Sequence, residues 1–328
     1  SKLPVKVFAD VLDVGMADKW LRPRAWATRA LVAYRSGDFD SANKSLQEGG
    51  ASEPADPTRA LLDAIAALER HGQGDSDGVF EGFSQEARDT ATTLEWIRNH
   101  PDCNGRIGLY GFSYQGLTQL LAPEDSLPPD CMAPAMCGLD EQSHWSCEGG
   151  AHWWHLGLGW GLQLAALQAR RRGDQSAWGE IRESLESGRY LRDGPDLLER
   201  HDPNGMALRW LKLPADQADG WKHHHSPRSW LRRPLLLLGG WWDPHLRGVL
   251  DLAERSRAAG GSPELHIGPA THLQWWPQSS ALLLNFFRRH LQDLAAADDA
   301  ELLRLWDQGS DQWIDLPWMM AGNPTPDA

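Results

Sequence analysis

The stretch Arg106-Ile107-Gly108-Leu109-Tyr110-Gly111-Phe112-Ser113-Tyr114-Gln115-Gly116 decides the fold. Its apolar start predicts a short strand, and the run Leu117-Thr118-Gln119-Leu120-Leu121 that follows it is typical of a helix. A strand, a sharp Gly-x-Ser-x-x-Gly turn and a helix can expose one serine hydroxyl at the top of a sheet. Side chains at Gly111 and Gly116 would crowd such a turn. Ser113 is therefore a candidate nucleophile, with an ordinary turn serine as the alternative.

Two later segments each carry one polar residue at the end of a predicted strand. The run Leu235-Leu236-Leu237-Leu238 predicts a buried strand, and it leads through two glycines and two tryptophans to Asp243. The run Leu265-His266-Ile267-Gly268-Pro269 leads to His272 in the same way. Alone, Asp243 would be interpreted as a turn residue and His272 as a loop residue.

The order of these three residues along the chain favours catalysis. Serine, then acid, then histidine is the order found in α/β-hydrolase triads. In this interpretation Ser113 attacks an acyl carbon, His272 takes the serine proton and Asp243 orients the imidazole. The backbone N–H of Tyr114 is the expected first donor of an oxyanion hole.

Residues 75–291 resemble the CocE/NonD serine hydrolases, which are related to the Xaa-Pro dipeptidyl-peptidases. The resemblance is carried by Gly74-Asp75-Ser76-Asp77-Gly78, the Ser-Tyr-x-Gly turn at Ser113, Gly240-Trp241-Trp242-Asp243, and Ile267-Gly268-Pro269 with His272. It implies an α/β-hydrolase fold with a helical cap inserted between Ser113 and Asp243. It also implies an acyl-enzyme hydrolase for an ester, amide or short peptide, working with neither a metal nor an organic cofactor.

The front of the chain departs from that family. The family has several strands before the Gly-Asp-Ser-Asp-Gly loop and an oxyanion tyrosine from an early Pro-Tyr segment, but no tyrosine of this chain follows a proline. Residues 60–72 are instead alanine-rich with a helical period. Tyr34, Gly37 and Phe39 resemble part of a tetratricopeptide unit, and the spacing from Gly37 to Gly72 is close to the repeat of roughly 34 residues. Two amphipathic helices packed on a hydrolase domain are the alternative.

These observations predict an α/β chain in three parts. Residues 1–73 are expected to form a helical, tetratricopeptide-like segment. Residues 74–295 are expected to form an α/β-hydrolase-type domain that lacks its first strands and carries a cap at about 128–228. Residues 296–328 are expected to be the truncated start of a β-rich C-terminal domain. The alternative function is that of an inactive or incomplete hydrolase whose helical repeats bind another protein.

Composition and charge limit the classes of partner that are expected for this chain. A formal net charge of −13 disfavours unspecific binding to nucleic acid. The chain contains no stretch of about 18 uncharged apolar residues, so no transmembrane helix and no membrane partner are expected. Its first residues do not predict a signal peptide, so a cytoplasmic location is the expectation. The oligomeric state stays open.

The cysteines and clustered histidines give no metal prediction. The four cysteines match no common zinc spacing, and a disulfide among Cys131, Cys137 and Cys147 stays open. The run His223-His224-His225 is interpreted as a solvated loop, because consecutive side chains cannot all point inward.

Tryptophan is unusually frequent, with 18 residues in the chain. Trp242 and Trp275 adjoin the candidate acid and base, so they are predicted to wall the substrate pocket. Packing between cap and core is the better interpretation for most of the others.

Overall fold

The computed structural model describes residues 80–101, 103–292, 302–316 and 318. The predicted tetratricopeptide-like segment at residues 1–73 lies outside the described residues. The helices and strands given below belong, apart from Asn99, to one compact unit formed by Glu81–Arg98 and the chain from Gly105 onward.

A six-stranded sheet forms the centre of this unit. In chain order the strands among the described residues are β1 (Gly108–Phe112), β2 (Cys131–Ala135), β3 (Cys147–Glu148), β4 (Ala151–His152), β5 (Leu236–Trp242), β6 (Glu264–Thr271), β7 (Leu302–Asp307) and β8 (Gln312–Leu316). The order across the main sheet is β1-β2-β5-β6-β7-β8, and β3 and β4 form a separate hairpin. Neighbours from β1 to β7 pair in parallel, and β8 is antiparallel to β7. This mostly parallel sheet with helices confirms the predicted α/β-hydrolase-type fold.

Helices cover both faces of the sheet. The helices are α1 (Glu86–Asn99), α2 (Tyr114–Thr118), α3 (Trp154–Arg171), α4 (Gln175–Ser187), α5 (Tyr190–His201), α6 (Met206–Lys212), α7 (Arg228–Leu231), α8 (Leu246–Ala259) and α9 (Ser279–Leu291), with a π-helical turn at Glu141–Ser146. Leu236 and Leu238 of β5 pack in one core cluster with Phe286 of α9. Gly239 faces the opposite side, where a Cβ would meet Leu246 of α8. The alternation along β5 therefore buries the strand between two helices.

Helices α3 to α6, which fall in the region predicted to be a cap and are called the cap below, pack around a second hydrophobic cluster that includes Leu158, Leu162, Ile181 and Leu198. Their ends follow local rules. The Asp174 side chain accepts a hydrogen bond from the Ala177 N–H at 3.0 Å and begins α4. Gly188, with φ +75°, ends the same helix.

The cap begins later than the predicted residue 128. Cys131–Ala135 is not part of the cap but a strand of the main sheet in which every residue is buried. Pro134 lies within this central strand, opposite Gly111 of β1. Proline lacks the N–H that a ladder uses, so its presence argues against a central strand in sequence-based interpretation.

The C-terminal strands also differ from the expectation of a separate, truncated module. β7 pairs with β6, and β8 pairs with β7, so residues 302–316 extend the hydrolase sheet. The Trp241 indole of β5 donates to the Trp306 carbonyl of β7 at 2.7 Å, which ties this extension to the strand that carries the candidate acid.

The cysteines are free thiols, with Cys131, Cys137 and Cys147 buried. None of the helices within the described ranges combines the length and apolar character needed to cross a membrane.

Candidate active site

The turn after β1 holds Ser113 in a strained backbone conformation, with φ +57° and ψ −132°. Its N–H donates to the Ala135 carbonyl at the end of β2, at 2.9 Å, which fixes the turn against the neighbouring strand. A Cβ on Gly111 would lie 2.7 Å from the Gln115 carbonyl oxygen, and one on Gly116 would lie 2.8 Å from a cysteine sulfur. Both glycines are required by this close approach, as the sequence predicted.

Ser113, Asp243 and His272 come together at one edge of the sheet. Each directly follows a strand, namely β1, β5 and β6. Because these strands are parallel, their carboxyl ends lie at the same edge, where open α/β sheets place their ligand sites. His272 Nε2 lies 2.9 Å from Ser113 Oγ, and His272 Nδ1 lies 2.5 Å from Asp243 Oδ2.

Hydrogen-bond chemistry assigns the protons shared by Asp243, His272 and Ser113. A carboxylate can only accept, so His272 Nδ1 carries the hydrogen and donates it to Asp243. His272 Nε2 is then bare and accepts from the Ser113 hydroxyl. The other Asp243 oxygen accepts from the His245 N–H at 2.8 Å, and only 6% of Asp243 is exposed. The carboxylate is thus held on both oxygens, and the acceptor nitrogen of His272 faces the Ser113 hydroxyl.

The side chain of Tyr114 anchors the residue after the candidate nucleophile. Its hydroxyl donates to the Glu86 carboxylate and accepts from the Phe83 N–H at 2.7 Å. Burial, and then the Glu86 charge, raises the pKa of Tyr114 well above its ordinary value. The phenol therefore stays protonated and fastens the start of α2, where the Tyr114 N–H lies. Sequence reasoning assigned Tyr114 only a backbone role.

A cavity of about 590 Å³ opens beside Ser113 and His272. Aromatic rings form much of its described wall, namely those of Phe112, Trp145, Trp160 and Tyr190. Polar side chains stand among them: His155 and Gln163 from the cap, and His245 from the loop after β5. Trp145 comes from the π-helical turn and Trp160 from α3, and their rings stack with centroids 5.9 Å apart. One wall of the cavity therefore comes from the segment predicted as the cap, and the sheet edge brings Ser113 and His272 to the cavity.

The tryptophans predicted to wall the pocket do not line this cavity in the described part of the chain. Trp242 is 57% exposed at the end of β5. Trp275 packs against the core cluster that contains Phe286, and its ring is edge-on to that of Phe112, with centroids 5.7 Å apart. Adjacency in sequence to the acid and the base was misleading, because the end of a strand also carries side chains that point away from the site.

A buried carboxylate supports the aromatic wall from behind. Glu141 has no exposed surface, and it accepts hydrogen bonds from the Arg209 guanidinium, the Trp210 indole at 2.6 Å and His224 Nε2 at 2.8 Å. Burial alone would raise the pKa of Glu141, but these donors outweigh it and hold that pKa below its usual value.

The prediction of a solvated histidine loop holds for His223 and His225, which are exposed, but not for His224, which is half-buried. His223 pairs with Asp140 and His224 with Glu141, so both are tied to carboxylates of the π-helical region. The acidic partners lie far away along the chain, which hid them from sequence reasoning. Across the described ranges no group of three or more His, Cys, Asp or Glu side chains is placed to hold a metal ion.

Comparison with known proteins identifies the family of the chain. The family model for X-Pro dipeptidyl-peptidase (S15 family) matches residues 64–274. The chain is 24% identical over 291 residues to cocaine esterase of Rhodococcus sp. (strain MB1 Bresler), an alignment that covers 77% of this chain. The chain spans 49% of the length of that relative.

Among solved structures, an esterase of Pyrococcus furiosus matches with a TM-score of 0.37 and 14% identity, over 71% of this chain and 75% of that one. The family match covers more than half of the chain and includes all three residues at the sheet edge. The chain therefore belongs to the X-Pro dipeptidyl-peptidase (S15) family.

Proposed function

We propose that this protein is a serine hydrolase that cleaves an acyl ester through a covalent acyl-enzyme. The observation that carries the proposal is the position of His272, whose two ring nitrogens lie within hydrogen-bond distance of Ser113 Oγ and Asp243 Oδ2. Nucleophile, base and orienting acid in that row are the requirement for activating a serine hydroxyl at neutral pH.

The chemistry would follow two half-reactions. Ser113 Oγ attacks the carbonyl carbon while its proton passes to His272 Nε2, and Asp243 stabilises the imidazolium. The negative charge on the carbonyl oxygen is stabilised by the backbone N–H of Tyr114. His272 then gives its proton to the departing oxygen, which leaves Ser113 acylated. A water molecule, deprotonated by His272, attacks the acyl carbon, and His272 returns that proton to Ser113 Oγ as the acid departs.

The cavity favours an ester over a peptide with a free amino terminus. A buried ammonium group needs a carboxylate partner to replace its hydration. No aspartate or glutamate lines the cavity within the described residues, and its wall is mostly aromatic or neutral polar. We therefore rank esters above Xaa-Pro peptides as substrates.

Labelling with a fluorophosphonate probe tests the catalytic serine. The probe is expected to modify Ser113 in the whole chain, with the modified peptide identified by mass spectrometry, and Ser113→Ala should abolish the signal. Ser310→Ala is the matched control, because Ser310 is an exposed serine that bonds to Asp307. Absence of labelling on a folded sample would count against the hydrolase and in favour of a binding role.

A paired substrate assay tests the preference for esters. We expect hydrolysis of 4-nitrophenyl esters and slower turnover of alanyl-prolyl 4-nitroanilide, compared by kcat/KM. A higher kcat/KM for the anilide would reverse the ranking and point to an acidic subsite.

A further inference from the structure

We infer that His245 is a specificity-determining residue, which accepts a hydrogen bond from an N–H or O–H group that the substrate carries beside its scissile bond. The inference deepens the proposed function and rests on it. His245 is two residues beyond Asp243, and its ring lies 4.9 Å from that of His272 and 4.5 Å from that of Trp145. It therefore borders both the reacting groups and the aromatic wall.

The tautomer of His245 is fixed by a backbone carbonyl. Nδ1 lies 2.6 Å from the His144 carbonyl oxygen. A carbonyl can only accept, so Nδ1 carries the hydrogen and Nε2 of the neutral ring is an acceptor. The neighbouring Asp243 oxygen is already occupied by the backbone N–H of His245 itself.

The ring also remains neutral over the physiological range. Burial lowers the pKa of His245 to about 4, against the opposing effects of the His144 carbonyl and the Asp243 charge. The nearby His272 adds to the lowering. An uncharged ring with one committed nitrogen leaves a lone pair, rather than a proton, for a substrate.

The ring of His245 is buried and borders the cavity. His245 is 4% exposed and lines the cavity beside Ser113 and His272. Within the described residues Nε2 has no hydrogen-bond partner, and it is not one of the unpaired side-chain atoms that are completely buried there. A buried polar atom that keeps contact with a cavity gains a hydrogen bond when a donor enters and loses its water when an apolar group enters. That difference is the basis of selection.

Other polar groups of the cavity could compete for the same donor. His155 and Tyr190 are already hydrogen-bonded to each other. Gln163 on α3 is exposed, so a substrate donor there would exchange one solvated partner for another. Of the polar side chains that line the described cavity besides Ser113 and His272, His245 is the one that is both buried and in ring contact with His272, and we expect the larger discrimination to come from it.

Matched pairs of esters test this inference. One series carries the donor on the acyl side, as 4-nitrophenyl 3-phenylpropionates with a hydroxyl at each ring position and the corresponding methyl ethers. The other carries it on the alcohol side, as acetates of hydroxybenzyl alcohols and their methyl ethers. We expect kcat/KM to favour the hydroxyl member about tenfold at one position at least, the discrimination that a single hydrogen bond gives.

Variants assign the discrimination to one atom. His245→Phe keeps an aromatic ring without the acceptor and should bring the ratio between the paired esters to about one. His245→Gln offers an oxygen at a similar reach and should restore part of the ratio. Gln163→Leu removes the competing polar group and should leave the ratio as it is.

The outcomes separate the inference from the proposed function. Fluorophosphonate labelling of Ser113 in each variant reports whether the triad is assembled. If the natural chain is labelled but hydrolyses both members of every pair with the same kcat/KM, the role of His245 is overturned and the hydrolase is kept. The same follows if the kcat/KM ratio between paired esters is lost in Gln163→Leu but kept in His245→Phe. Failure of the natural chain to label overturns the hydrolase, and the role of His245 with it.

Discussion

The sheet edge and the cap wall meet at the same cavity but are built in different ways. At the edge, Ser113, Asp243 and His272 each follow a parallel strand, so backbone pairing fixes their positions. At the wall, Trp145 and Trp160 are held by packing of rings from separate elements. In the proposed function the reaction therefore depends on the sheet edge, whereas the choice of substrate depends on the aromatic wall together with His245. Substitutions in each region can separate the two.

The largest effect is expected at the sheet edge. Asp243→Asn should lower kcat for an ester by about 10³–10⁴-fold, because the amide no longer holds the His272 tautomer or stabilises the imidazolium. Steady-state kinetics with a 4-nitrophenyl ester measure the loss. Asp315→Asn, which alters a surface pair with Arg304, is the matched control and should keep full activity. A decrease of less than tenfold in Asp243→Asn would show that the row of three does not act as a triad.

Substitution of Glu141, the buried carboxylate behind the aromatic wall, should lower stability rather than act on the chemical step. Glu141→Leu leaves three buried or half-buried donors without their acceptor, so we expect a loss of about 3–5 kcal/mol in the free energy of unfolding. Urea unfolding measures it. Glu183→Leu removes an exposed pair with Arg189 and should change stability by less than about 1 kcal/mol. Equal losses in the two variants would contradict a structural role for the buried carboxylate.

Truncation of the wall itself should change substrate choice. Trp160→Leu removes a ring that packs on Trp145 and Trp210 and lines the cavity. We expect kcat/KM for bulky aryl esters to fall about tenfold, with a smaller change for acetates, because a short acyl group needs less of the wall. Trp178→Leu on α4, where the ring stacks with Arg182, is the control. An equal loss for both ester classes would mean that Trp160 supports the triad rather than the pocket.

Glu141 also predicts a pH dependence of the free energy of unfolding. The folded-state pKa of Glu141 lies below the ordinary value of 4.5, so its stabilisation is complete above that value and is lost as the pH falls through the folded pKa. The stability difference between the natural chain and Glu141→Gln should therefore shrink between about pH 7 and pH 3. Unfolding curves at both pH values measure it. A difference that grows on acidification would reverse the assigned direction.

Much of the sheet edge could be predicted from sequence because strand ends are local signals. The glycines around Ser113, the run before Asp243 and the run before His272 each predicted a strand and its end, and the structure brings the three residues together. Their catalytic roles stay a prediction. β2 was missed because Pro134 is unusual in a central strand, and its burial is decided by neighbours on both sides.

The cap wall could not be predicted because its contacts join distant parts of the chain. His224 and Glu141 are 83 residues apart, and no periodicity links them. His245 follows Asp243 closely, but its acceptor role depends on a carbonyl 101 residues earlier. Adjacency favoured Trp242, whereas the cavity is lined by Trp145 and Trp160. Side chains that meet through tertiary packing leave no local pattern.

The smallest expected effect provides the sharpest contrast with Trp160. Trp242 is next to the candidate acid in sequence but is 57% exposed and away from the described cavity wall. Trp242→Leu should therefore change kcat/KM for aryl esters by less than about twofold, in line with exposed positions in general. The same ester series used for Trp160→Leu measures it, and the thermal midpoint checks that β5 is intact. A tenfold loss confined to bulky esters would place Trp242 in the pocket, and position along the chain would then matter more than the packing of the cap.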